Sequence, residues 1–253
     1  MKWFKKRYLW IVLVVLAYSL ASNAYMTPIL MYHHIDERSE EWKLSVSPES
    51  FRHQMEFLKA HQYKVLSLKD YVGYLKAGKK PPKKSIVLTF DDGYDNNFIN
   101  AFPVLKKMGF EATIFIQGDG INRDGYMTDE DISILLDNGI SIGSHTMHHG
   151  WLPELTGEQL AVEIIESKDY LESYFDTEIT LFSYPGGGFD KKTRAMVIAA
   201  GYEAATATHP GPEYDDHDIY ALKRIRISRT ADNLFVFWLK ISGFYTHFEE
   251  WRD

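Results

Sequence analysis

The chain has 253 residues, 45% hydrophobic and 25% charged, which excludes both a disordered chain and a polytopic membrane protein. It contains no cysteine, so a disulfide framework, a CxxC redox site, a thiolate zinc site, a cysteine nucleophile and a lipid-anchored cysteine are all excluded. The formal net charge of −7 becomes −11 once residues 1–24, which carry basic but no acidic side chains, are set aside; a field of that sign draws in neither nucleic acid nor anionic polymers, and a neutral or cationic substrate fits better.

The first segment has the pattern of a targeting signal. Lys2, Lys5, Lys6 and Arg7 precede a short apolar run, and Ser22-Asn23-Ala24 supplies the small residues of a cleavage site. The run is shorter than the roughly 18 to 20 residues of a comfortable span. Residues 1–24 are therefore expected to be a signal peptide, or else an uncleaved anchor that is the protein's one link to a membrane. Either way residues 25–253 are expected outside the cytoplasm, as one domain in which 25–84 add a strand and helices to a core at 85–245.

Pro28 to Tyr32 reads as a buried strand with His33 and His34 at its end. Ser47-Pro48-Glu49 opens a helix running to about His61, with proline in its first turn. A second helix is expected over Lys69 to Ala77, followed by the basic loop Gly78 to Lys84. From there strands are expected over 86–90, 112–116, 140–143, 181–184, 202–206 and 222–227. Helices are expected over 97–108, 128–137, 156–175, 191–200 and 232–241, with Thr128 capping the second of these. Apolar strands alternating with helices at short intervals argue for parallel βα units, closed as a barrel or doubly wound. The high aromatic content, 15%, is assigned to the core first and to a carbohydrate-facing surface second.

Polar residues gather just after the strands, where parallel-sheet folds build their sites. His33-His34, Asp91-Asp92-Gly93, Ser144 to His149 and Pro185 to Gly188 are expected to converge. Adjacent Asp91 and Asp92 point in different directions, so one can hold a cation while the other faces a substrate. His145 and His149 are four apart and share a face if the segment is a helical turn. With one aspartate they make an Asp-His-His set that leaves positions open for water, the pattern of a catalytic metal site. His148, three from His145, ranks below His149. No G-x-S-x-G is present, which argues against a serine hydrolase.

Thr89-Phe90-Asp91-Asp92-Gly93-Tyr94 and His145-Thr146-Met147-His148-His149 resemble the first two motifs of the polysaccharide deacetylase family, also called carbohydrate esterase family 4 or the NodB-homology domain. The resemblance runs over roughly residues 83 to 245. It implies an α/β fold, a distorted (β/α) barrel of about seven strands, and metal-dependent deacetylation of an acetylated polysaccharide. Carried over residue by residue, Asp92, His145 and His149 match the metal ligands and Asp91 the catalytic base. The implied cofactor is a divalent metal, zinc first.

Three departures stand out. Ser183 occupies the place of the arginine that opens the family's third motif, here Ser183-Tyr184-Pro185-Gly186-Gly187. No Asp-rich motif followed by tryptophan occurs in the later chain, and no Leu-x-His lies near its end to supply an acid. Pro28 to Ile35, however, resembles the N-terminal strand of the poly-N-acetylglucosamine deacetylase-like branch, which implies His33 as the acid, with His34 second. The later histidines, His209, His217 and His247, stand in loop or terminal settings. Arg224 and Arg226, on one face of the last strand, are candidates to replace the missing arginine. Gly186, Tyr184 and Pro185 are candidates for oxyanion and substrate binding, with the Gly186 N–H nearest the oxyanion role. The leading reading is removal of N-acetyl groups from N-acetylglucosamine units of an exopolysaccharide or cell-wall glycan. The alternatives are an O-acetyl esterase on xylan or another glycan, and a carbohydrate-binding pseudoenzyme.

Overall fold

The computed structural model describes residues 26–37, 44–208, 214, 218–243 and 245. The expected N-terminal signal or anchor therefore lies outside the described residues, as do His209, His217 and His247. Among the described residues no helix is long and apolar enough to cross a membrane.

Short runs of apolar and β-branched residues make the strands. β1 is Ile29–Tyr32, β5 is Ser85–Phe90, β6 is Thr113–Ile116, β7 is Ser141–Ser144, β8 is Leu181–Ser183 and β9 is Ala204–Ala207. The last strand is two short pieces, β10 (Leu222–Lys223) and β11 (Ile225–Arg226), separated by Arg224 alone. All pairings are parallel. The order is β10-β9-β8-β7-β6-β5-β1-β11. Leu222 pairs with Thr206 on β9, and three residues later Ile225 pairs with Leu30 on β1. One continuous stretch thus bridges the two ends of the sheet and closes it into a (β/α) barrel of seven staves. A further strand, β4 (Lys64–Leu66), hangs on β5, and β2 (His34–Ile35) pairs with β3 (Ser45–Val46) in a small separate sheet. Neither the β2–β3 pair nor β4 is expected from the sequence pattern; two or three residues are too few to show a period.

Alternation along the strands sorts their side chains into two cores. Ile29, Val87, Phe115, Leu181, Ala204 and Leu222 fill the barrel interior, with Leu68, Tyr71 and Val72 of the helix Leu68–Lys76 packed on them. The opposite faces, among them Leu30, Leu88, Ile114, Phe182 and Ile225, pack against the outer helices. Above Ile29 the parity continues with the apolar Met31, but elsewhere it turns polar: Thr89 and then Asp91 above Val87, Ser183 above Leu181, Arg224 above Leu222. The lumen is an apolar plug below and a charged chamber at the carboxyl ends of the strands.

The helices begin where the sequence supplies caps. Ser47 accepts from the Ser50 N–H ahead of Pro48–Ala60, and Thr128 and Asp131 form a reciprocal box at Asp129–Asp137. The helix expected over 97–108 opens with a π-helical turn, Asn97–Ala101, and the one expected over 156–175 contains another, Val162–Glu166. Periodicity does not register a one-residue widening of this kind.

Candidate active site

Asp91 and Asp92 leave β5 at a sharp bend. Asp92 takes a left-handed φ of 75° and Gly93 follows at 76°, so the two carboxyl groups diverge. Asp91 turns down into the lumen. Its two oxygens accept from both terminal nitrogens of Arg224 at 2.6 Å each. The same guanidinium donates to Ser183 Oγ at 2.9 Å and Thr89 Oγ1 at 3.3 Å, and lies over the Phe115 ring. Burial pushes the Asp91 carboxyl up, but the opposing charge of Arg224, with His145, outweighs it and holds the group well below the usual carboxylate range.

Asp92 turns the other way. Its Oδ1 accepts from Gln117 Nε2 at 3.0 Å and lies 3.6 Å from His145 Nε2 and 3.4 Å from His149 Nε2. These three donor atoms all fall within 4.8 Å of one another. Tetrahedral donors on an ion at about 2.1 Å stand about 3.4 Å apart, so the set has the size of a small divalent cation's coordination sphere. The His145 Nδ1 lies 2.8 Å from the Ser183 carbonyl oxygen, which can only accept. The proton is therefore on Nδ1, and the Nε2 lone pair faces Asp92 and His149. Desolvation lowers the His145 pKa, and a neutral imidazole is the form that binds a cation. The residues fit a divalent ion.

The histidine spacing works by a route other than the expected one. Residues 145–149 form no helical turn; Thr146 and His149 adopt φ of 69° and 57°, and the Thr146 hydroxyl accepts from the His149 N–H. The loop, not a helix face, brings the two rings together. His148 is carried away from them: its N–H and Nδ1 both engage the Glu163 carboxylate at 2.9 Å.

His33 stands at the top of β1 on the lumen side. Its carbonyl accepts from Asn97 Nδ2 at 2.6 Å, so the π-helical turn pins this corner of the chain. Burial lowers its pKa, while the charges of Asp91 and Asp92 act in the opposite sense. His33 lines a cleft of about 460 Å³ with Met31, Trp151, Gly186, Thr208 and Arg226. His34 points elsewhere: it is buried, stacked on Tyr94 and 3.1 Å from Asn96 Nδ2. The two arginines part company as well. Arg224 meets Asp91, whereas Arg226, one step further along, is exposed at the cleft mouth.

Two of the expected substrate-binding residues belong to the core. Tyr184 is fully buried, stacked on Phe189, and its hydroxyl donates to the Tyr220 carbonyl; Pro185 is buried at the start of a tight turn. They shape the turn and expose no side chain to the cleft, because the strand's end still faces the outer packing layer. The amides of Gly187 and Gly188 are used by the Tyr184 and Pro185 carbonyls, and among the described residues the Gly186 N–H has no backbone partner outside its own turn. Gln117 and Trp151 were not signalled by any motif. Gln117 follows a strand directly, so the rule that collected the other clusters applies to it too.

The polysaccharide deacetylase family model matches residues 78–205. YxkH of Bacillus subtilis (strain 168), which carries the name polysaccharide deacetylase, is 38% identical over 201 residues, covering 79% of this chain and 71% of that protein. The chain belongs to the polysaccharide deacetylase family. It is accordingly a hydrolase of the deacetylase class. A poly-β-1,6-N-acetyl-D-glucosamine N-deacetylase of Staphylococcus epidermidis is 29% identical over 202 residues, 74% of this chain and 69% of that one. Among solved structures, the Streptococcus pyogenes deacetylase PplD in complex with acetate superposes with a TM-score of 0.76 at 28% identity, covering 83% of this chain and 96% of the other. The matched segment 78–205 holds Asp91, Asp92, His145, His149 and Gly186; His33 and Arg224 lie on either side of it and come to the site through barrel closure.

Proposed function

We propose that this protein is a metal-dependent N-deacetylase acting on N-acetylglucosamine units of a polysaccharide outside the cytoplasm. The observation that carries the reading is the pairing of Asp91 with Arg224 directly beside the Asp92, His145 and His149 donor set. That juxtaposition separates a proton acceptor, kept ionised by its own cation, from a cation-binding group one residue away. The Staphylococcus epidermidis relative named for N-deacetylation supports the substrate, and acetate, held by the Streptococcus pyogenes relative, is the product such a reaction releases.

Asp92, His145 and His149 would hold the divalent ion, with zinc the first choice for this donor set. When bound, such an ion lowers the pKa of water and polarises a carbonyl oxygen. Asp91 takes the proton from the attacking water, and its bond to Arg224 fixes the orientation of its oxygens. The Gly186 N–H donates to the oxyanion that develops on the acetyl carbonyl. His33 gives a proton to the amide nitrogen as the carbon–nitrogen bond breaks, releasing acetate and a free amine. That proton is needed because an amine anion is a very poor leaving group; supplying it is worth about 10²- to 10⁴-fold. One observation favours ester hydrolysis instead: burial holds His33 toward its neutral form, and an ester's alkoxide leaving group demands less of an acid.

The test is a panel of N- and O-acetylated glycans with free amine and free acetate measured in parallel, with and without chelator. N-deacetylation releases both products and stops when the metal is removed. Acetate without amine would transfer the assignment to an O-acetyl esterase, and no release from any glycan would transfer it to a carbohydrate-binding pseudoenzyme. Asp92→Ala, His145→Ala and His149→Ala should each lose metal and turnover together. His148→Ala, tied to Glu163 instead, should keep its metal.

A further inference from the structure

The glycine run Gly186-Gly187-Gly188 has the composition of an opening for a bulky substrate, yet its missing side-chain space is already filled. A Cβ on Gly188 would collide with the Trp151 indole, and one on Gly186 would stand 3.2 Å from the same ring. At Gly187 a Cβ would meet the Thr208 backbone nitrogen at 2.9 Å. Trp151 therefore lies against bare backbone. It is also fixed from its own side of the chain: Leu152 is fully buried, and the turn Leu152–Glu154, opened by Pro153, begins directly after it.

A tryptophan held this firmly would ordinarily be covered. Trp151 instead remains 50% exposed and lines the cleft that His33 lines. Phe189, the other aromatic at the cleft, has a ring face taken by Tyr184 at 4.4 Å; among the described residues no aromatic ring pairs with Trp151. The cleft it lines is mixed: Met31, Leu44 and Pro153 are apolar, whereas the exposed Arg226 and Thr208, whose hydroxyl lies 3.6 Å from the Met31 sulfur, bring hydrogen-bonding groups. A flat apolar face bordered by polar groups matches a pyranose ring, which has an apolar face of C–H groups and a rim of hydroxyls.

We propose that Trp151 is a sugar-binding platform, on which a pyranose ring of the glycan stacks while a linked unit lies at His33 and Asp91. The proposal rests on the glycan-deacetylase reading and adds to it a requirement for a chain of sugars. Gly188 is then a glycine because the platform needs its space, whereas Gly186 is also required by its left-handed φ of 60°, and the substrate meets indole where a flexible loop was the alternative.

The experiment uses the full chain carrying Asp91→Asn to prevent turnover, titrated calorimetrically with N-acetylglucosamine and with its pentasaccharide. Adding Trp151→Ala should weaken pentasaccharide binding by about tenfold or more, the scale of burying one apolar ring face, with a smaller effect on the monosaccharide. Trp151→Phe should recover most of the loss. Gly188→Ala, which displaces the indole without altering it, should act in the same direction as Trp151→Ala. In the otherwise unmodified protein the loss should appear in KM for the polymer more than in kcat. Pentasaccharide affinity equal to the parent's in Trp151→Ala would overturn the platform while leaving the deacetylase reading intact. Metal loss in that variant would overturn it too, by giving Trp151 a structural role at the neighbouring His149. A parent that neither binds nor deacetylates any glycan would defeat both.

Discussion

Asp91 lies beneath the cleft almost out of reach of water, where a carboxylate without a cation would take up a proton. Arg224 reverses that outcome through two bonds of 2.6 Å, and the serine at position 183 makes room for it and accepts a third. The family's usual arginine is absent from its motif, and the same charge arrives from another strand. Replacing Arg224 with Met should leave burial as the dominant influence and raise the Asp91 pKa. The base would then be protonated over more of the acidic range, so the acid limb of the pH–rate profile should move to higher pH and kcat should fall by about 10²-fold or more. Arg226→Gln, at the exposed mouth, should leave that limb where it is; a matching shift there would mean the two arginines have been assigned the wrong way round. The pair also links stability to pH. Because the folded pKa of Asp91 lies below its unfolded value, its contribution is complete above about pH 4 and is lost as pH falls through the folded value. His33 gives a second test at this scale. His33→Ala should fold, bind metal and lose amide cleavage by about 10²- to 10⁴-fold, while an activated aryl acetate, whose leaving group needs no proton, loses much less. Equal losses on both substrates would remove His33 from the acid role.

Most strands and helices were legible because their apolar residues run unbroken or keep a period, and because caps such as Ser47 and Thr128 mark where helices begin. What escaped depends on contacts distant in sequence. The gap at Arg224, which splits one expected strand into β10 and β11, follows from a change of partner and not from any local breaker. The His145–His149 spacing named a pair that does converge, but through left-handed residues in a loop that no periodicity describes. Trp151 carried no motif, and its relation to the glycines is visible only in three dimensions. Gly143, in the middle of β7, is similar. A Cβ there would stand 2.5 Å from the Phe115 ring on β6 and 2.9 Å from the Leu181 carbonyl on β8. Neither neighbour can retreat, since Phe115 fills the lumen beneath Arg224 and Leu181 begins the next stave. Gly143→Ala should therefore destabilise the fold by about 1–3 kcal/mol, the usual range for overpacking. A thermal midpoint unchanged from the parent would show that the lumen has slack.

At the scale of the whole molecule, the barrel's closure and the site's assembly are one event. His33 enters on the first stave and Arg224 on the last, and these two staves pair with each other through Leu30 and Ile225. The acid candidate and the partner of Asp91, nearly two hundred residues apart in the chain, reach the chamber only when that seam forms. Ending the chain after Tyr220 would remove the last stave together with the helix Leu234–Lys240 that packs Phe237 into the outer core, expose the free edges of β1 and β9, and open the lumen over its apolar plug. Arg224→Met removes the charge and keeps the stave. Comparing the two separates closure from chemistry. The truncated chain should lose cooperative thermal unfolding and near-ultraviolet dichroism along with activity, whereas Arg224→Met should keep the cooperative transition, at a lower midpoint because Asp91 is left buried without its partner. A truncated chain that unfolded as cooperatively as the intact protein would show that the other six staves hold the barrel by themselves, and that the last strand serves the site alone.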